Sequence, residues 1–130
     1  MTKVVAMSDK VKIEVLRRLV DAFNEQDVDA ALDLFAEDGV WEASRGPDLW
    51  GQRFTGQAEL RAGMQERFAA LPDGRYSDDT HVVYGDRGFS EWTFTATTSD
   101  AKMSVRGCDI WTFEGDKIAR KNSFWKIVEG

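Results

Sequence analysis

The chain is predicted to fold as an α+β domain, with three N-terminal helices packed on a curved, mostly antiparallel β-sheet. Three observations carry that expectation. Apolar residues recur with a period near 3.6 as far as Pro72, the mark of helices that bury one stripe. Beyond Gly74 the period falls to 2, the alternation of strands with one buried face. Turn sequences at Gly85-Asp86-Arg87-Gly88, Ser99-Asp100 and Glu114-Gly115-Asp116 cut this second part into short-linked strands, an antiparallel meander. Helices gathered ahead of such a sheet cover one of its faces, which defines the class.

Taken in order, Ile13, Leu16, Val20 and Phe23 recur at helical spacing, with Val15 and Leu19 widening the stripe and Ser8 or Asp9 ahead as a cap. This predicts a first helix from about Asp9 to Asn24, preceded by a flexible tail over residues 1–8. Asp27 caps a second helix whose apolar positions Val28, Ala31, Leu32 and Phe35 continue to Gly39. The two helices are close enough to pack as a hairpin. Val40 to Ala43 is a short strand candidate, and the segment holding Trp50 and Phe54 is irregular by composition. Thr55-Gly56 opens a third helix with Leu60, Met64, Phe68 and Leu71 on one face, stopped by Pro72-Asp73-Gly74. Strands are then expected over 76–84, 89–98, 102–113 and 117–127.

Composition narrows the function classes. A length of 130 residues with 42% hydrophobic and 31% charged positions suits one globular domain, 1–130. A formal charge of -6 repels phosphate backbones and anionic lipid, so no nucleic-acid or membrane partner is expected. One cysteine, Cys108, and one histidine, His81, supply neither an intramolecular disulfide nor a nitrogen- and sulfur-ligated metal site, so no metal is expected, and with no phosphate-binding glycine loop or dinucleotide fingerprint no cofactor is expected either. No run approaches the ~20 apolar residues of a membrane span, and residues 1–6 lack a signal-peptide core, which points to the cytoplasm.

Strand parity exposes the chemistry. In the 102–113 strand, Val105, Gly107, Asp109, Trp111 and Phe113 share one face, apolar except for Asp109. Burying that carboxyl without a partner costs several kcal/mol, on the order of a lost ion pair. Two readings stand: a carboxyl group that donates a hydrogen bond or proton to a ligand in a dry pocket, or a structural aspartate satisfied by Lys121, Arg106 or backbone amides. In the preceding strand Ser90, Trp92, Phe94 and Ala96 face the core and Glu91 faces outward. The last strand has no clearly apolar face, so Lys121 and Ser123 fall either inside or outside. His81 and Tyr84 have opposite parity, so one of them can turn inward as a second proton group. The five tryptophans, with Phe54, fit either an aromatic-lined cavity for a flat apolar guest or plain core and interface packing.

The stretch Phe35-Ala36-Glu37-Asp38-Gly39-Val40-Trp41, the Phe54-Thr55-Gly56 helix entry, and Gly107-Cys108-Asp109-Ile110-Trp111-Thr112-Phe113 leading through Gly115-Asp116-Lys117-Ile118 resemble the SnoaL-like branch of the NTF2-like superfamily over nearly the whole chain. The resemblance implies a cone of three helices within a curved sheet, a deep pocket, and a homodimer formed through the sheet. It covers isomerases, cyclases, dehydratases, epoxide hydrolases and non-catalytic binders alike. Matched by this likeness, Asp109 falls where ketosteroid isomerase keeps a protonated oxyanion-hole aspartate. That enzyme's base and tyrosine fall near Ala43 and Leu19, and the positions of the two aspartates and the arginine of limonene-epoxide-hydrolase-like members are occupied by Trp92, Ser123 and Ser90. The polyketide-cyclase acid falls at Asn122-Ser123.

The resulting expectation is a homodimeric protein that binds a small hydrophobic, carbonyl-bearing or polycyclic metabolite, as a cofactor-independent isomerase or cyclase. Asp109, His81 and Tyr84 would be its proton groups. Trp41, Trp50, Phe54, Trp92, Trp111, Lys121 and Ser123 would line the site. The alternative is a non-catalytic ligand-binding or dimerisation module of the same fold.

Overall fold

The structure is a computed structural model that describes residues 7–99 and 101–129. Three helices and one six-stranded curved sheet make up the domain, as the α+β expectation requires. The elements are α1 (Met7–Glu25), α2 (Val28–Leu32), β1 (Phe35–Glu42), β2 (Arg53–Thr55), α3 (Gly56–Ala70), β3 (Arg75–Tyr84), β4 (Arg87–Thr98), β5 (Ala101–Glu114) and β6 (Lys117–Trp125). Of the expected tail over 1–8, residues 7 and 8 are helical, and the remainder lies outside the described residues.

α1 buries Val15, Leu16, Leu19 and Phe23 of its predicted stripe, together with Ala22, while Ile13 and Val20 are only partly buried at its margins. Asp9 is inside the helix rather than at its cap. Its carboxylate accepts from the Gly85 amide at 3.1 Å, and Lys12 Nζ donates to the Gly85 carbonyl at 2.7 Å, so two side chains fasten α1 to the β3–β4 turn. The helix stops where Gln26 turns left-handed at φ 56° and the Asp27 amide reaches back to the Ala22 carbonyl. Asp27 then caps α2 by accepting from the Ala30 amide at 3.1 Å.

The second helix is shorter than its apolar period suggests. It ends at Leu32, and Phe35 begins a strand instead. Phe35 lies opposite Ile118 in parallel pairing, and the Ile118 amide donates to the Leu34 carbonyl at 2.9 Å, so ladder bonds to a remote strand override the local helical period. α3 runs as predicted, with Leu60, Gly63 and Met64 buried. Phe54 lies so close to Gly63 that a Cβ there would stand 2.8 Å from its ring. The region read as irregular contains β2, which pairs antiparallel with β1.

The strand order is β2-β1-β6-β5-β4-β3, antiparallel throughout except between β1 and β6. The meander β3 to β6 stands as predicted, and β1 adds to its far side. The core lies between the helices and the sheet face that carries Trp41, Phe94, Val105, Trp111 and Phe113.

Candidate functional site

Cross-strand partners in a sheet share a face, so register alone lines up the polar residues. His81 on β3 lies opposite Ser90 on β4, Ser90 opposite Asp109 on β5, and Asp109 opposite Ser123 on β6. One polar row thus crosses four strands on the core-facing side. The neighbouring row contains Trp111, Lys121 and Trp41. On the other side, Trp92 lies over Gly107, where a Cβ would meet the indole at 2.5 Å. Glycine is needed there because the indole occupies the space of a side chain.

His81 reaches this row through a bulge. The β3–β4 register shifts between Ser77 and Thr80, and Asp78 adopts φ 51°. The extra residue reverses the alternation, so Tyr76 and Val83 are both buried although their parity differs, and the His81 ring turns inward with its side chain 4% exposed. Tyr84, on the opposite parity, is 76% exposed on the outer face.

Two hydrogen-bonded groups occupy the row. In the first, Asp109 accepts from Trp92 Nε1 at 2.8 Å, Lys121 Nζ at 2.7 Å and Ser123 Oγ at 2.5 Å, while Lys121 also donates to Ser123 Oγ at 2.9 Å. In the second, Ser90 Oγ accepts from Trp111 Nε1 at 2.8 Å and lies 2.6 Å from His81 Nδ1, and His81 Nε2 lies 2.8 Å from Asp79. Ser90, Asp109, Lys121 and Ser123 are all buried. The Lys121 ammonium stands 5.4 to 5.8 Å from the ring centres of Phe23, Trp41 and Trp111, an aromatic cage that compensates part of its lost hydration.

Between α1 and the sheet lies a cavity of about 20 Å³, room for one water molecule. Leu19, Val20 and Phe23 close it on the helix side. Ser90, Asp109 and Lys121 border it on the sheet side, with Tyr76, Trp92 and Trp111 completing the wall. Burial pulls the Lys121 amine below its ordinary value, an effect that the charge and hydrogen bond of Asp109 oppose. Burial likewise pushes the Tyr76 hydroxyl up to about 12. The Cys108 thiol is also raised, by burial and then by the charges of Asp109 and Glu91, so its thiolate is disfavoured.

Several sequence expectations are corrected by this geometry. Of the two readings open for Asp109, the structure shows the contacts of the second: buried beside Trp92, it accepts from Trp92, Lys121 and Ser123 and donates to none of them. Its partners include Lys121 and exclude Arg106, which instead bonds the Thr93 hydroxyl at 3.0 Å. The open register of the last strand resolves with Lys121 and Ser123 inward. Trp92 and Trp111 line the cavity, and Trp41 packs beside it, 5.1 Å from the Phe54 ring. Trp50 is elsewhere, 43% exposed with the Arg53 guanidinium 4.3 Å from its ring centre. Tyr84 faces away from the cavity, and His81 reaches it only through Ser90. The deep pocket implied by the family likeness is filled by aromatic side chains, so a polycyclic guest has no room in the conformation described.

Two participants went unassigned in the sequence. Parity places Ser90 inward without assigning it a role, and the signal for Asp79 is its i, i+2 spacing to His81. Among the described residues no group of three or more His, Cys, Asp or Glu side chains is arranged to hold a metal ion. No described helix is long and apolar enough to cross a membrane.

A family model for a SnoaL-like domain matches residues 16–121. Solved structures share the fold. A protein from Jannaschia sp. CCS1, provisionally named a SnoaL-like polyketide cyclase, superposes with TM-score 0.81 at 14% identity, over 96% of this chain and 92% of that one. A provisionally named polyketide cyclase from Xanthomonas campestris pv. campestris gives 0.79 at 19% identity, over 92% and 93% of the two chains. An NTF2-like protein of unknown function from Mesorhizobium loti gives 0.78 at 24% identity, over 98% and 100%. No functionally curated protein matches the chain. The chain belongs to the SnoaL-like domain family, with an NTF2-like, ketosteroid isomerase-like fold.

Proposed function

We propose that this SnoaL-like chain binds a small apolar molecule bearing a carbonyl group between α1 and the sheet, and that the Lys121 ammonium polarises its oxygen. The observation that carries this reading is a buried ion pair bordering a cavity: Lys121 and Asp109 both line the space beneath α1. An ammonium has three N–H donors. Asp109 and Ser123 take two of them, which leaves one for a guest oxygen. Trp41, in register with Lys121, adds a buried indole N–H that has no partner among the described residues.

A hydrogen bond from a preorganised cation is worth most where charge develops, as on the oxygen of an enol or enolate. The chemistry this supports is acid–base isomerisation or cyclisation without a metal. Admitting anything larger than a water molecule requires the lining to give way, and Leu19 and Val20 form part of it on the α1 side. A compact ketone therefore fits the reading better than a fused-ring metabolite.

Cyclohexanone in deuterated buffer tests it. Binding should quench or shift the fluorescence of the tryptophans around Lys121, and deuterium should enter the α-carbons faster than with buffer alone. Lys121→Met should abolish both. If the ketone leaves fluorescence and exchange untouched while Lys121→Met only lowers stability, the non-catalytic module is the correct reading. That second reading draws on the small size of the cavity and on the three donors that Asp109 already accepts.

We also propose a homodimer through the outer sheet face, where Val82, Phe89, Ile110 and Phe124 stand exposed in adjacent strands. Sedimentation should give a dimer for the natural chain and a monomer for Phe89→Glu; a wild-type monomer at tens of micromolar would refute the pairing.

A further inference from the structure

We propose that Asp79, His81 and Ser90 form a proton relay between solvent and the cavity, with Ser90 Oγ as the group that exchanges a proton with a bound molecule and His81 acting through it. The inference rests on the ligand reading given above, since it supplies that site with its second proton group.

Hydrogen-bond directions fix how the relay would work. Trp111 Nε1 can only donate, so one lone pair of Ser90 Oγ is committed to it. Asp79, with its side chain 30% exposed, meets water at the outer end, while the His81 ring beside it is buried. With a neutral imidazole, Nε2–H donates to Asp79 and the Ser90 hydroxyl donates to the bare Nδ1. With a charged imidazolium, both ring nitrogens donate. Ser90 Oγ then accepts from Nδ1–H as well as from Trp111, and its own hydrogen must turn toward the cavity that it lines.

These two arrangements interconvert by moving one proton. A proton leaving a guest would pass to Ser90 Oγ as the hydroxyl hydrogen passes to Nδ1, leaving a guest anion beside Lys121 and an imidazolium against Asp79. No bond to carbon is formed by the protein, and nothing is oxidised or reduced. The reverse shift returns the proton at another atom of the guest, which is the requirement of an isomerisation.

His81 is the chain's one histidine, so its ring nitrogens can be followed by NMR without assignment ambiguity. The neutral ring should be the Nε2–H tautomer, and Ser90→Ala should move the Nδ1 resonance toward that of a nitrogen without a donor. An Nδ1–H tautomer, or an Nδ1 signal indifferent to Ser90→Ala, would overturn the relay. In the cyclohexanone exchange assay, Ser90→Ala and His81→Gln should each slow deuterium uptake at least tenfold with Kd within twofold of the natural chain. Exchange within twofold of wild type in either well-folded variant would also overturn it. Failure of cyclohexanone to bind the natural chain would break the ligand reading alone, and the imidazole signals would then decide the relay.

Discussion

Asp109 and Glu42 are carboxylates nearly withdrawn from water, and the protein holds them in opposite ways. Asp109, on the core face, is paired with one lysine, itself buried and bordering a cavity. Glu42, near the sheet's β2 edge, is clamped between two arginines: Arg53 bonds it at 2.6 and 2.8 Å, and Arg120 grips the other oxygen. The arginine side chains are 43% and 45% exposed, so their charges keep most of their hydration. Guanidinium remains charged in either setting, whereas a buried ammonium can be pulled toward neutrality. A fork of arginines thus fastens a strand edge, while a sequestered lysine holds a charge in reserve. Burial of a carboxylate alone says little about function; what matters is whether its partner can change state.

The largest effect should come from splitting the inner pair. Lys121→Met leaves the Asp109 charge without its cation and should cost about 3–5 kcal/mol in urea unfolding. Asp109→Leu should also destabilise, because Trp92, Lys121 and Ser123 lose their common acceptor. The Asp109→Leu, Lys121→Met double variant should lose less than the sum, showing that the two act as a unit. An additive result would mean that the pair is not coupled.

Next comes the packing that positions the Asp109 anchor. Gly107→Ala places a methyl group 2.5 Å from both the Trp92 ring and the Phe124 carbonyl oxygen. It should cost about 1–3 kcal/mol by thermal unfolding. The strain should also displace the indole N–H that Asp109 accepts, visible as a shift of the Trp92 Nε1–H resonance.

The outer clamp should be worth less, and should vanish in acid. Glu42→Gln should lose about 1–2 kcal/mol at neutral pH, since the exposed arginines rehydrate. Burial raises the Glu42 carboxyl, but hydrogen bonds and charges from Arg53 and Arg120 outweigh it and hold the group below its ordinary 4.5. Its contribution is therefore complete above that value and fades as pH falls through the lower, folded one. Melting curves of the two proteins should converge at low pH; a constant gap would contradict the clamp.

The smallest effect concerns Tyr76, in the wall beside the inner pair. Burial holds its hydroxyl neutral up to about 12, whereas the unfolded chain ionises it near 10. Stability should fall as pH rises between those values, and Tyr76→Phe should flatten the part of the decline that this side chain causes. Urea unfolding at pH 9 and 11 measures the slope.

Much of this arrangement was legible in the sequence because it rests on alternation. Asp109 declares itself by parity in a strand whose other inward positions are apolar, and Trp92 and Trp111 follow the same rule. Lys121 did not, since Ala119, Lys121 and Ser123 offer no hydrophobic face to set the register; only the acceptor at Asp109 gives the ammonium a reason to turn inward. The site's second half was hidden by one residue. The bulge at Asp78 has no glycine to announce it, yet it reverses parity and so brings His81 beside Ser90. The early end of α2 was equally invisible, because Phe35 answers to Ile118, far along the chain, rather than to its neighbours.

That last contact bears on how the protein is made. A ribosome releases Phe35 long before Ile118, so β1 must wait with one edge uncovered while the rest of the sheet is synthesised. Closure between such distant segments is slow, and until it occurs that edge is open to pairing with chaperones or other nascent chains.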